Sequence, residues 1–421
     1  MTAATVPLAQ EHLQEIADSY VSREDGIPGL VFCVVNSAGN QLFHYASGKQ
    51  GHDSDCSMDE KTIFWFASCT KMITAIAAMQ LVEANKIHLD DGDQLEQILW
   101  ELKNRKVLVE DAEGQLSLVE KRTKITLRML LSHTAGFGYS FSNTKLKKWS
   151  EPRGILEVSS EEYDIFGQPL VNQPGTTWEY GTNIDWVGRL IERITSMSLG
   201  EYMGKHIFDQ IGVSSLTFFP SSDTLAYLHE RMPTGQIKVR DGGHLLCRAI
   251  QHRHGVHEPD STFMRAGGHG LFGTPSDYCQ IISILLNKGV HAPTGNRILQ
   301  EETVQQMLEN QIPEHPDFAR DLSRPCKPSL VNYQAETYAQ PREEAQGWGM
   351  SFFKLLHSSK TGRRAGTVWW SGLANLIWWA DVDSGIGGIF ASQILPFGDD
   401  LVFSCYEELE TALYNHIEQA L

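Results

Sequence analysis

Apolar residues run almost unbroken through Met72-Ile73-Thr74-Ala75-Ile76-Ala77-Ala78-Met79-Gln80-Leu81-Val82-Glu83. A stretch of this length without a polar face predicts a helix buried on nearly every side. Residues 8–24 instead set Leu8, Leu13, Ile16, Ala17 and Tyr20 on one stripe and stop at Gly26-Ile27-Pro28-Gly29, an amphipathic helix with its terminator. Two apolar runs, 30–35 and 41–46, are joined by Asn36-Ser37-Ala38-Gly39-Asn40 and predict a β-hairpin. Leu89-Asp90-Asp91-Gly92-Asp93 reads as a turn, and the charged stretch 105–122 as an exposed excursion.

A second helical region starts at Ile125, with Thr126 placed to cap it and Gly136 to end it. Residues 170–310 read as mostly helix and loop, with helical periodicity at 185–194 and 276–286. Residues 311–346, rich in Pro, Glu and Arg, predict a long irregular excursion over the surface, of the kind that borders a binding site. The chain then returns to short strands at 367–370, 376–380 and 386–391, and 400–420 predicts a last amphipathic helix. Strands and helices at both ends with helices between give an α/β (α+β) fold class. The expected organisation is a single catalytic domain over 1–421, with one lobe from about 1–65 and 345–421 and an inserted, mostly helical lobe from about 66–344.

Composition narrows the partners. With 35 Lys+Arg against 52 Asp+Glu, the 421-residue chain carries a net charge of −17, which argues against nucleic acid or an anionic membrane surface. The first ten residues have neither a cationic nor an apolar leader segment, and no run reaches the roughly 18 apolar residues of a membrane span. Seven scattered cysteines, an odd number, suit a reducing compartment, so a cytoplasmic protein is expected.

Chemistry enters at Ser68-Cys69-Thr70-Lys71, just before the buried helix. Residues i and i+3 share a helix face, so a hydroxyl at the N-terminal end would have an amine one turn below it. Taken alone, the pair reads better as a helix-capping serine and a snorkelling lysine than as a nucleophile and its base. Cys69 reads as a small buried thiol filling space, and His133 as a structural side chain bonding its own loop. His244, His252, His254 and His257, with Cys247 nearby, match no zinc spacing; no metal is expected, and 244–257 reads as a flexible His-rich loop bordering the cleft.

Two further stretches change the weight of the first: Glu179-Tyr180-Gly181-Thr182-Asn183 and Trp370-Ser371-Gly372-Leu373-Ala374-Asn375. In order and separation the three resemble the motifs of the serine β-lactamase and penicillin-binding protein superfamily. The tyrosine points to the class C branch and the family VIII carboxylesterases. Trp370-Ser371-Gly372 is similar to the Trp-x-Gly of esterases, which makes β-lactam hydrolysis a minor expectation. Residues 178–193 and 373–381 resemble the fungal lovastatin acyltransferase group, while 130–136 and 267–278 fit the superfamily as framework. Two departures stand out: Asn183 falls one position later than in a Tyr-x-Asn motif, and a literal Lys360-Thr361-Gly362 lies in a Gly- and Arg-rich turn, read as unrelated to the third motif.

The resemblance implies a β-lactamase-like fold without metal or organic cofactor. It implies Ser68 as nucleophile, Lys71 and Tyr180 as a shared base, and the backbone N–H groups of Ser68 and Leu373 as oxyanion donors. Trp370 and Gly372 are expected to bind substrate, with Tyr139 as a pocket wall; strand alternation sends Trp369 to the opposite face from Trp370. The expected activity is acyl transfer from, or hydrolysis of, an ester or thioester of a hydrophobic secondary metabolite, with an acyl thioester donor or acyl carrier protein as a partner. A carboxylesterase of broad specificity or weak β-lactamase, and a catalytically silent binding protein on the same fold, are the alternatives.

Overall fold

The computed structural model describes residues 7–220, 224–251, 263–320, 325–333, 341 and 343–420. Its centre is a seven-stranded sheet, with strands numbered here in chain order. They are β1 (Gly29–Asn36), β2 (Gln41–Gly48), β3 (Gly347–Trp348), β4 (Phe353–Lys354), β5 (Val368–Gly372), β6 (Leu376–Asp381) and β7 (Ile386–Ala391). The spatial order is β3-β4-β5-β6-β7-β1-β2, and every neighbouring pair is antiparallel. The expected N-terminal hairpin and the three C-terminal strands are therefore one sheet, closed where β1 meets β7.

Strand alternation divides the tryptophans between two faces. Trp379 lies 6.0 Å from Tyr406 of the C-terminal helix α5 (Asp400–Ala420), while its neighbour Trp378 lies 6.4 Å from Tyr278 of α4 (Pro275–Leu286). The N-terminal helix α1 (Pro7–Val21) packs beside α5, so both chain ends cover one face. Helix α4 covers the other, against β1 and β7.

The apolar run forms helix α2 (Thr70–Glu83), with every residue from Thr70 to Met79 and Leu81 buried. It packs on α3 (Asn183–Thr195), whose apolar positions recur on one side. Thr126 caps the short helix Leu127–Leu131 by accepting the Met129 N–H.

The stretch 105–122 departs from expectation. It is an antiparallel hairpin, Lys106–Glu110 against Leu116–Glu120, and its first strand is partly inside: Val107 and Leu108 are buried, and the Leu108 N–H donates to Leu170. Asp111 accepts from the Glu113 and Gln115 N–H groups, and Gly114 at φ +80° completes the turn. Among the described residues no helix is long and apolar enough to cross a membrane.

Candidate active site

Strand β5 and the entrance to α2 meet at the first motif. Residues 67–69 form a tight 3₁₀ turn before α2, and Ala67 takes a left-handed conformation at φ +45° that redirects the chain just before Ser68. Ser68 is half-buried and faces a cavity, whereas Lys71, one turn on, is fully buried. Lys71 Nζ lies 3.0 Å from Ser68 Oγ, 2.8 Å from the Gly268 carbonyl and 3.3 Å from the Tyr139 hydroxyl. Burial pulls the Lys71 pKa down to about 7, against opposing pulls from Asp185 and Cys69. Cys69 is also fully buried, and burial pushes its thiol far up, so it stays protonated beside the serine.

Those three contacts constrain a neutral lysine. The Gly268 carbonyl can only accept, so it takes one N–H; with the second N–H on Tyr139, the lone pair is left for the Ser68 hydroxyl.

Tyr180 precedes α3, in a segment pressed against 137–138. A Cβ at Gly181 would stand 2.2 Å from the Phe137 carbonyl oxygen, which explains a glycine after the tyrosine. The Tyr180 ring lies between His133, 4.8 Å away, and Trp370, 5.0 Å away, with Lys71 Nζ 4.8 Å from its centroid. Trp370 Nε1 donates to the Tyr180 hydroxyl at 2.9 Å. Burial raises the Tyr180 pKa above its ordinary value, while hydrogen bonds with Ser68 and Trp370 pull it partly back. The resting side chain is a neutral phenol.

The third motif brings β5 against the serine turn. A Cβ on Gly372 would come within 2.5 Å of the Phe66 carbonyl oxygen, so only glycine allows this approach. Gly372→Ala is expected to lower both melting temperature and ester turnover, because the obstructing atom is backbone; overpacking of this kind costs about 1–3 kcal/mol. A thermal melt with a p-nitrophenyl ester assay checks it, and a variant with wild-type melting and turnover would refute the close-packing argument.

Ser68, Tyr139, Tyr180, Trp370, Gly372 and Leu373 all line one cavity of about 490 Å³, with Lys71 behind Ser68 and Tyr139. Trp65, Phe141, Val158, Trp178 and Phe397 supply apolar wall, and Asn143, Lys145 and Glu179 a polar corner. Ala319, Pro325, Val331 and Asn332 show the irregular 311–346 stretch bordering the cavity; residues 321–324, 334–340 and 342 lie outside the described residues.

Several side chains behave differently from their sequence reading. His133 does not bond its own loop: its Nδ1 accepts from Asn183 Nδ2 at 2.9 Å and from the Gly181 N–H at 3.4 Å, and its ring supports Tyr180. Its neighbour Asn183, one position late in its motif, is buried on His133 and is not among the cavity-lining residues. Tyr139 is more than a wall, since it touches Lys71. His244 is half-buried, with its ring against Trp65 and Phe272, and desolvation pushes its pKa down to about 3. His252, His254 and His257 lie outside the described residues.

Lys360-Thr361-Gly362 sits against α5, with Lys360 paired to Glu407 and Thr361 to Glu410. Trp369 pairs in register with Trp379 and lies beside Arg363, on the α5 face, opposite Trp370. Sequence reasoning missed Asp185 and Gly268, which complete the surroundings of Lys71. The signal available for them was the Gly267-Gly268 pair, which marks close backbone approach.

An antiparallel sheet closed by both terminal helices, with a Ser-x-x-Lys turn at the head of a buried helix, defines a β-lactamase-like serine enzyme. The chain belongs to the beta-lactamase family, whose family model matches residues 9–403. A lovastatin esterase of Penicillium rubens is 30% identical over 407 residues, spanning 92% of this chain and 94% of its own. A monacolin J acid methylbutanoyltransferase of Aspergillus terreus is 27% identical over 438 residues, spanning 97% and 96%. Among solved structures, the LovD6 mutant of simvastatin synthase from Aspergillus terreus superimposes with a TM-score of 0.79 at 25% identity, covering 98% of this chain and 96% of that one. The similarity is to the esterases and acyltransferases of the family.

Proposed function

We propose that the protein forms an acyl-enzyme on Ser68 from an ester or thioester of a hydrophobic secondary metabolite of the polyketide kind, and passes the acyl group to an alcohol or to water. The observation that carries this reading is the 3.0 Å contact between Ser68 Oγ and a buried Lys71, opening on an aromatic-walled cavity.

In the first half-reaction Ser68 Oγ bonds to the carbonyl carbon as its proton passes to the Lys71 amine. The backbone N–H groups of Ser68 and Leu373 hold the oxyanion, a contribution of about 3–4 kcal/mol per donor. The carbon's bond to the leaving oxygen or sulfur then breaks, and Tyr180 delivers a proton to the leaving group, replenished from the Lys71 ammonium. In the second half the acceptor O–H gives its proton to Tyr180 as Tyr180 passes its own to the Lys71 amine, the acceptor oxygen bonds to the carbonyl carbon, and the bond from that carbon to Ser68 Oγ breaks as the Lys71 ammonium returns the proton to Oγ. Tyr180 works as a neutral relay, because burial disfavours a resting phenolate. Trp370 and Gly372 shape the acyl side of the cavity.

A thioester makes transfer to an alcohol downhill, so the donor side of the reading includes an acyl thioester, either a small thiol or an acyl carrier protein. Among the described residues no two cysteines are joined in a disulfide, in keeping with a cytoplasmic enzyme.

The test loads the enzyme with a short-chain acyl thioester in the presence of a panel of hydrophobic alcohols. Mass spectrometry then follows the acyl group on the peptide containing Ser68 and the ratio of ester to free acid. An acyl mark on Ser68 with ester as product is expected for the transferase; free acid alone across the panel reduces the reading to a hydrolase. No mark on Ser68 during turnover rejects the acyl-enzyme.

A further inference from the structure

Asp185 lies in the first turn of α3, five residues beyond Tyr180, and has no solvent exposure. One carboxylate oxygen, Oδ1, accepts the Gly268 N–H at 2.8 Å; among the described residues Oδ2 has no hydrogen-bond partner. The same Gly268 offers its carbonyl to Lys71 Nζ at 2.8 Å, and the preceding carbonyl, of Gly267, accepts from Thr74 of α2 at 2.7 Å. The glycine pair is thus threaded between α2 and α3. A Cβ at Gly268 would stand 2.5 Å from Asp185 Oδ2, and one at Gly267 2.9 Å from the Ile184 carbonyl oxygen. One residue, Gly268, therefore joins the buried carboxylate to the buried amine.

The groups around this pair are accounted for on every side. From its own turn Lys71 meets Ser68 and Cys69. The segment after Leu127–Leu131 brings His133 and Tyr139, the start of α3 brings Tyr180 and Asp185, and the glycine loop brings His269. Burial holds His133 and His269 neutral and keeps Cys69 and both tyrosines protonated. His269 Nδ1, 3.6 Å from Asp185, accordingly offers no cation. Among the described residues Lys71 and Asp185 are left as the two groups able to carry charge there, and an unpaired buried carboxylate is costly.

We propose that Asp185 is a positioning residue for Lys71: its carboxylate fixes the Gly268 backbone that receives the lysine, and its negative charge sets the charge state in which Lys71 rests. The proposal rests on the reading of Lys71 as base. The direction follows from electrostatics: a nearby carboxylate favours the ammonium, so it delays release of the free amine as pH rises. Burial lifts the Asp185 carboxyl itself to about 6, so both groups change state close to neutrality.

The experiment compares pH profiles of kcat/KM on a p-nitrophenyl ester for the native enzyme, Asp185→Asn and Asp185→Ala. Asparagine keeps an oxygen for the Gly268 N–H and removes the charge. Its acid limb is expected about one pH unit lower than native, with a plateau above that of Asp185→Ala. Alanine removes the acceptor as well and is expected to lower the plateau about tenfold. A folded Asp185→Asn enzyme whose limb is unmoved or shifted upward overturns the proposal.

Should Asp185→Asn fail to fold, infrared titration of the native enzyme replaces it. A buried carboxyl band that disappears between about pH 5 and about 7 is expected, and its absence overturns the proposal. The two readings fail separately. A fully active Lys71→Met variant removes the base reading, whereas an inactive one with an unmoved Asp185→Asn limb removes only the role of Asp185.

Discussion

Replacing Ser68 with alanine is expected to reduce kcat on a p-nitrophenyl ester by about 10⁴-fold or more and to abolish the covalent adduct with a fluorophosphonate. The loss is large because no neighbour can stand in. Cys69 is adjacent in sequence, but its thiol is fully buried and held protonated, so it presents no thiolate to the cavity. The Tyr180 hydroxyl is a neutral phenol engaged by Trp370. The fold should survive, since Ser68 is half-buried and Lys71 keeps the Gly268 carbonyl and Tyr139 as partners. A melting temperature close to wild type thus separates loss of chemistry from loss of structure. Adduct formation by Ser68→Ala at the wild-type rate would reject Ser68 as nucleophile.

What the sequence made legible follows from how each feature is encoded. Helix α2 is written as an apolar run too long for a strand, and β5 to β7 as short apolar runs with tight connections, so both were readable without a partner in view. The 106–120 hairpin was not, because charged residues flank Val107-Leu108 and the other strand leaves Leu118 and Val119 exposed, hiding any alternation. Burial of polar groups was the harder matter. Asp185 looks like an ordinary first-turn acid of an amphipathic helix, and only the passage of Gly267-Gly268 across α3 encloses it. His133 gave no sign of being buried, and His244 none of packing on Trp65 and Phe272, since their neighbours come from segments distant in the chain. Spacing could suggest that Ser68, Lys71, Tyr180 and Trp370 converge; it could not suggest that Tyr139 reaches Lys71 or that Ala67 turns left-handed before the serine.

Lys71→Met is expected to lower kcat/KM by about 10²–10⁴-fold, the range for losing a positioned acid or base, and also to change the shape of the pH profile. As the proposed base, the lysine could serve only as a free amine. With its pKa pulled down to about 7, activity should climb about tenfold per unit as pH rises toward that value and level off above it. Methionine has similar length and no proton to exchange, so that limb should vanish along with most of the rate. Tyr180→Phe makes the complementary case: it removes the proposed relay and the acceptor of the Trp370 N–H but leaves Lys71 on Ser68. It should lower the plateau by a comparable factor and keep a limb near 7. The discriminating quantity is therefore the limb and not the rate. A limb that persists in Lys71→Met and disappears in Tyr180→Phe would transfer the role of base from the amine to the phenol. That result would also require a phenolate in a pocket where burial opposes one.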